Sequence, residues 1–281
     1  MTDPATLLAH FADIAARAGR RIVEIRARPH DVTAKSDGSP LTEADLAAEA
    51  IIAEALPAAA PGIAVVSEED AARPAPPPGA AFILVDPLDG TREFLGPSGE
   101  FTVNIALIEA GRPVCGVVYA PALGRIWRGA RGAGAATASL SPGADPARVD
   151  WRPIRARPRP ATDWTALASR SHLDAETERF LAGLPVGEHR SIGSSLKFCL
   201  LAEGVADVYP RFGPTMEWDT AAGQAVLEAA GGRVETPAGA PFLYGKSDQG
   251  FRNGAFIAWG AGAGSSAPEA GGIAGRLTHP A

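Results

Sequence analysis

Residues 81–95 read AFILVDPLDGTREFL, and the fold turns on them. The run Ala81 to Asp86 is apolar until its last residue and predicts a strand buried on both faces. Asp86-Pro87-Leu88-Asp89-Gly90-Thr91 follows without a break. Two carboxylates three residues apart at a strand end can converge on one point. Pro87 restricts the turn, and Gly90 lets the backbone approach closely. Oxygen donors of this kind, with the Leu88 carbonyl as a further candidate, suit a hard divalent cation such as Mg²⁺. The same letters also suit a plain strand-ending turn, because Asp, Pro and Gly dominate turns.

Upstream, Ile63 to Val66 predicts a short strand that ends at Ser67-Glu68-Glu69-Asp70. Leu7, Leu8, Phe11, Ile14, Ala15, Ala18 and Ile22 follow helical spacing, so residues 5–27 predict an amphipathic helix. Residues 42–56 predict a second helix, stopped by Pro57. The proline-rich stretch 74–79 reads as a loop, and 30–40, with Lys35, Asp37 and Gly38, as a mobile segment over the site. Downstream, 101–108 and 114–120 flank a turn and predict a hairpin. Strands are expected at 165–170, 206–211 and 256–260, and helices at 174–183, 194–204 and 219–230, the last closed by Gly231-Gly232. This divides the chain into 1–128, a linker or elaborated edge at 129–163, a second half at 164–260, and a disordered tail at 261–281. Such alternation predicts a layered α/β or α+β fold.

A chain of 281 residues can bury a substantial core without disulfides or a structural metal. The formal charge of −6 disfavours a nucleic-acid partner but leaves room for a small anion if cations gather in one cleft. Cys115 and Cys199 form no C-x-x-C pair, which argues against a zinc site or a disulfide framework and fits a reducing cytoplasm. The first residues lack the layout of a secretory signal, and no uncharged apolar run is long enough for a membrane span.

Three more carboxylates compete between structural and chemical roles. Glu68 sits in an acidic run that is either a solvated loop or one side of a cation site, since gathered like charges repel unless a cation compensates them. Asp219, in Trp218-Asp219-Thr220, predicts the N-cap of the following helix and could ligate a metal as well. Asp45, in Thr42-Glu43-Ala44-Asp45, fits a capping box, and alternatively could polarise a hydroxyl.

Taken in order, T-E-A-D (42–45), S-E-E-D (67–70), D-P-L-D-G-T (86–91) and W-D-T-A-A-G (218–223) resemble one family. It is that of the magnesium-dependent, lithium-sensitive phosphomonoesterases that include inositol monophosphatase and fructose bisphosphatase. The stretches 89–95, 99–109, 116–121, 169–172, 193–199 and 209–215 are similar to its CysQ-type 3'(2'),5'-bisphosphate nucleotidase branch. The resemblance runs over about residues 5–260; 129–163 matches poorly, and Ser67 and Arg92 stand where the family often has Gly and Lys.

The resemblance implies an alternating αβαβα sandwich with the site between its halves. Glu68, Asp86, the Leu88 carbonyl, Asp89 and Asp219 would hold two or three Mg²⁺ ions. Thr91 and Asp45 would orient and help deprotonate the attacking water, with Glu68 beside them, while the backbone of Gly90 and Thr91 would contact the scissile phosphate. Ser194, Lys197 and Arg211 would take the nucleotide's second phosphate, Ser194 from a helix N-terminus, and His172 would lie near adenine. Read locally, those positions are equally an ordinary helix start with a surface lysine and a surface or capping histidine. The implied reaction is removal of the 3'-phosphate of adenosine 3',5'-bisphosphate, and of its sulfated form, with an inositol or sugar phosphatase as the alternative. The implied enzyme is cytoplasmic or peripheral on the cytoplasmic membrane face, a monomer or homodimer. Glu217, Phe251 and Asn253 would help shape the pocket, with no individual role assigned.

Overall fold

The computed structural model describes residues 3–34, 40–70, 76, 79–170 and 174–262. The expectations for Lys35, Asp37, Gly38, His172, most of the proline-rich stretch and the tail beyond Gly262 fall outside the described residues. Up to residue 154 the chain runs α1 (Pro4–Arg26), β1 (Val32–Ala34), β2 (Pro40–Thr42), α2 (Glu43–Ala59), β3 (Ala64–Ser67), β4 (Phe82–Asp89), α3 (Thr91–Leu95), β5 (Thr102–Glu109), β6 (Arg112–Ala120), β7 (Arg125–Ala130), β8 (Gly134–Ser139) and β9 (Arg152–Ile154). It continues with β10 (Trp164–Ser169), α4 (Ala175–Ala182), β11 (Val186–Ile192), α5 (Leu196–Ala202), β12 (Val208–Arg211), β13 (Thr215–Met216), α6 (Glu217–Ala229), β14 (Arg233–Glu235), β15 (Arg252–Asn253) and β16 (Phe256–Trp259).

Strands β3 to β9 lie in sequence order in one seven-stranded sheet, so the stretch 129–163 carries two strands that extend that sheet. β4 is buried on both faces, as its apolar run requires. Ile83 and Val85 pack with α1 and α2 on one side, while Phe82 and Leu84 pack with α5 and α6 on the other. The apolar stripe of α1 faces this sheet; Leu7, Phe11, Ile14, Ala18 and Ile22 are all buried. α2 does not stop at Pro57 but runs to Ala59. In the last turn a proline forfeits one backbone bond, and the turn closes beyond it when Ala60 N–H donates to Leu56 O at 2.8 Å. α6 lies so close to β7 that a Cβ on Gly129 would stand 2.7 Å from Val226 Cα.

The second sheet has the order β11-β10-β12-β16-β14. β10 pairs in parallel with β11 and β12, and β16 is antiparallel to its neighbours. α4 covers the outer face, with Leu181 among Trp164, Val208, Ile257 and Trp259. The layers are therefore helices α1 and α2, the large sheet, helices α5 and α6, the smaller sheet, and α4: the expected αβαβα order. β11 was not foreseen, because an edge strand that reads VGEHRSI and is largely exposed carries little hydrophobic signal.

Candidate active site

β3 and β4 are parallel, with Ser67 opposite Val85. The next residues, Glu68 and Asp86, therefore follow neighbouring positions: Glu68 leaves β3 into a single 3₁₀ turn while Asp86 continues in β4. The pairing of β4 with β5 then slips: Asp86 lies opposite Asn104, and Asp89 opposite Thr102. Three steps on β4 against two on β5 make a bulge, at Pro87, which has no N–H to offer. Without the bulge Asp86 and Asp89 would face opposite sides of the sheet. With it, both follow the side taken by Thr102 and Asn104. Asp86 is buried, and its Oδ1 accepts the Leu88 N–H at 3.0 Å.

Gly90 ends the strand with φ of +90°, and a Cβ there would meet Glu100 O and Ser194 Cβ, both at 3.3 Å. The chain turns at once into α3, with Thr91 at its first position. Thr91 Oγ1 donates to Asp45 Oδ1 at 3.4 Å. The other oxygen of Asp45 accepts the Thr42 N–H at 2.8 Å and the Thr42 hydroxyl at 2.5 Å. The capping box and the contact with Thr91 thus coexist, one carboxylate oxygen each.

Asp219 is not the N-cap of its helix. α6 begins two residues earlier with Met216 as the cap residue, delivered by the short β13–β15 pair. Asp219 occupies the third helical position, and its Oδ2 reaches back to accept the Met216 N–H at 2.8 Å. Burial pushes its carboxyl well above the usual range, and the negative charges of Asp89 and Glu68 push it further, against the Met216 amide and Arg211. Acids from three separate stretches thus act on one another, with Asp86 next to Glu68 in register. Among the described residues no three His, Cys, Asp or Glu side chains close into a group that could hold a metal ion as they stand. The donor set is nonetheless all oxygen, and a hard divalent cation among these carboxylates would relieve the opposition to ionising Asp219.

A cleft of about 550 Å³ is lined by Asp89, Thr91 and Asp219 together with Lys197, Tyr209 and Arg211. Lys197 is no surface lysine but 3% exposed. Its Nζ donates to Ile192 O at 3.1 Å and Ser194 O at 2.6 Å and lies 5.1 Å from the Tyr209 ring. Burial lowers its pKa to about 8. Arg211 is also buried, donating to Gly213 O at 3.2 Å and Pro214 O at 3.1 Å. Ser194 precedes the helix by two residues, with φ of +53°. The amide at that helix start belongs to Ser195 and is already directed at Asp89 Oδ2, 2.6 Å away.

Ser195 and Asp174 escaped the sequence reading. Ser195 Oγ lies 3.0 Å from Asp89 Oδ2 and 2.7 Å from the Asp219 carbonyl, tying together acids from the two halves. Nothing local separates it from Ser194. Asp174 caps α4 and also accepts the Gly213 N–H at 3.0 Å, which holds the loop that engages Arg211. Burial opposes its ionisation, but its amide and hydroxyl donors prevail and lower its pKa. The pattern Asp174-Ala175-Glu176-Thr177 was a readable N-cap; its second contact was not. Glu217 is fully buried and accepts the Gly245 and Lys246 N–H groups at 2.8 and 2.9 Å, anchoring that loop to the start of α6.

The chain is similar to the 3'(2'),5'-bisphosphate nucleotidase CysQ of Escherichia coli K12, 43% identical over 254 residues, covering 85% of this chain and 94% of that protein. The protein of the same name from Salmonella typhimurium is 44% identical over 244 residues, covering 81% and 89%. The crystal structure of CysQ from Bacteroides thetaiotaomicron, described as a bacterial member of the inositol monophosphatase family, superposes with a TM-score of 0.75 at 38% identity, covering 92% of this chain and 97% of that one. The inositol monophosphatase family profile matches residues 3–261, and the chain belongs to that family.

Proposed function

We propose that the protein is a 3'(2'),5'-bisphosphate nucleotidase that hydrolyses the 3'-phosphate of adenosine 3',5'-bisphosphate to AMP and phosphate. The observation that carries this reading is one cleft lined both by the carboxylates Asp89 and Asp219 and by the buried cations Lys197 and Arg211. The similarity to CysQ nucleotidases over most of the chain supports it. Glu68, Asp86, the Leu88 carbonyl, Asp89 and Asp219 would hold Mg²⁺, two or three ions in all. When bound, the ions supply positive charge against the charge that develops on the phosphoryl oxygens.

The chain's own groups do the rest. Thr91 Oγ1 holds the attacking water by accepting one of its protons, as its own hydroxyl proton moves toward Asp45 Oδ1. Thr42, bonded to the other Asp45 oxygen, keeps that carboxylate in place. Lys197 and Arg211 receive the phosphate that is not cleaved. His172 would lie beside the base, and Gly90 beside the scissile phosphate. The sulfated nucleotide offers the same 3'-phosphate and is a second expected substrate.

An inositol phosphatase would have one phosphate to bind and no use for the further buried cations Lys197 and Arg211. Phosphate release from adenosine 3',5'-bisphosphate, inositol 1-phosphate and fructose 1,6-bisphosphate, with Mg²⁺ titrated and Li⁺ added, decides between them. The bisphosphate nucleotide is expected to lead by at least ~10-fold, about the worth of one charge-assisted hydrogen bond. Preferential turnover of inositol phosphate, or full turnover under chelator, would overturn the proposal.

A further inference from the structure

Glu100, Thr102 and Asn104 recur at every second residue along β5 and its approach, so their side chains share one face. Each engages one of three consecutive residues ahead of α5. Glu100 Oε2 accepts the Gly193 N–H at 2.8 Å. Thr102 Oγ1 lies 2.7 Å from Ser194 Oγ. Asn104 Nδ2 donates to Ser195 Oγ at 2.9 Å. Arg170 secures the first rung: it donates to both Glu100 oxygens, at 2.9 to 3.2 Å, and to Ser191 O at 2.9 Å.

The loop is built to fit this face. A Cβ on Gly193 would stand 2.6 Å from Glu93 Cγ and 2.9 Å from Glu100 O, so only glycine allows the approach. Ser194 adopts a left-handed backbone, which a non-glycine residue keeps only where its surroundings impose it. Asn104 Nδ2 also lies 3.4 Å from Asp89 Oδ2, and its Oδ1 has no hydrogen-bond partner among the described residues. Exchanging the two amide atoms would set oxygen against carboxylate, which fixes the orientation despite the unpartnered oxygen.

We propose that Glu100, Thr102 and Asn104 are positioning residues: together they seat Gly193-Ser194-Ser195, and through Ser195 they hold Asp89 in its cleft-facing orientation. Asp89 leaves the large sheet, but its closest donors, the Ser195 N–H at 2.6 Å and hydroxyl at 3.0 Å, come from the loop of the other half, while Thr102 and Asn104 stand farther from the same oxygen, at 3.5 and 3.4 Å. The functional consequence rests on the reading of Asp89 as a cation ligand. Carboxylate ligands are commonly oriented by hydrogen bonds from outside the ligand set, and losing one such bond costs about 10- to 100-fold in metal affinity or activity.

The test uses the full chain and the variants Thr102→Val, Thr102→Ser and Asn104→Leu, with Thr137→Val on β8 as a control for losing a sheet threonine hydroxyl. Three quantities are read: hydrogen exchange in the peptide spanning 190–197, Mn²⁺ affinity by electron paramagnetic resonance of the free ion, and kcat against KM. Thr102→Val and Asn104→Leu are expected to speed exchange in that peptide, weaken Mn²⁺ binding about 10-fold and lower kcat ~10- to 100-fold, with KM changed less than about threefold. Thr102→Ser restores all three, and Thr137→Val changes none. Unchanged exchange in a folded Thr102→Val overturns the seating. Faster exchange with unaltered Mn²⁺ affinity and kcat overturns the link to Asp89. A wild-type chain that binds no Mn²⁺ overturns the cation reading and this positioning role with it, while exchange, read separately, identifies that failure as one of the metal site.

Discussion

Replacing Lys197 with methionine separates substrate binding from stability. In the fold the lysine titrates near 8, against 10.5 in an exposed setting, a difference of about 2.5 pH units. Keeping it charged at pH 7 therefore costs about 3 kcal/mol. Because the folded pKa is the lower one, the unfolded chain binds more protons between about pH 8 and 10.5, and wild-type stability rises with pH across that window. Methionine removes the cost but leaves Ile192 O and Ser194 O without their donor, at about 1 kcal/mol or more each. The variant is expected to unfold at pH 7 within roughly 1–2 kcal/mol of wild type. Binding is the quantity that changes. Two of the three lysine N–H groups go to those carbonyls, and the third is left for a phosphate oxygen. A charge-assisted bond of about 1.5–3 kcal/mol corresponds to roughly 10- to 150-fold. The assay compares kcat/KM for adenosine 3',5'-bisphosphate with that for adenosine 3'-monophosphate. Lys197→Met should lose that factor on the first substrate and little on the second. The wild-type preference should decline above about pH 8, where the lysine loses its proton, and the variant's should stay flat. Equal losses on both substrates, or none, would refute the assignment of Lys197 to the second phosphate.

Asp45→Asn keeps an oxygen for the Thr42 cap but no longer offers a carboxylate to Thr91. Thermal unfolding should move by no more than about 1 kcal/mol, while kcat falls ~10²- to 10⁴-fold; retained kcat would remove Asp45 from the chemistry. Asp219 has a folded pKa raised by burial and by Asp89 and Glu68, so the unfolded chain binds fewer protons above about pH 4 and metal-free stability falls as pH rises. The gain in melting temperature from Mg²⁺ should therefore be larger at about pH 8 than at pH 5, and an equal gain at both counts against the shared cation site. Asp207 is fully buried and accepts from Arg157 at 2.6 and 2.8 Å and from the Thr165 N–H at 2.7 Å. Asp207→Ala should cost about 3 kcal/mol, or roughly 6–12 °C in calorimetric melting temperature, with the activity of the folded fraction intact.

Much of the architecture was legible because its signals are local. The helical stripe from Leu7 to Ile22, the doubly buried run before Asp86 and the hairpin of β5 and β6 are set by burial periodicity, and each forms where its pattern predicts. Two of the departures have equally local causes. Pro57 lies late enough in α2 to be carried past, and β11 is an exposed edge strand with little apolar content. At Asp219 the helix start was misplaced by two residues, because the β13–β15 pair that delivers Met216 joins segments far apart in the chain.

By itself the chain order determined which acids were candidates, because carboxylates at strand ends and helix starts leave a pattern in the letters. Tertiary structure decided how they face one another. The bulge at Pro87 brings Asp86 and Asp89 to one side of the sheet, the parallel register sets Glu68 beside Asp86, and Ser195 bridges Asp89 to the Asp219 carbonyl. Burial made Lys197 a weakly basic cation inside the cleft instead of a solvated one outside it. Periodicity and capping depend on neighbours within a turn or two of the chain, whereas desolvation, charge repulsion and the aim of a carboxylate depend on groups that only folding brings within a few ångströms.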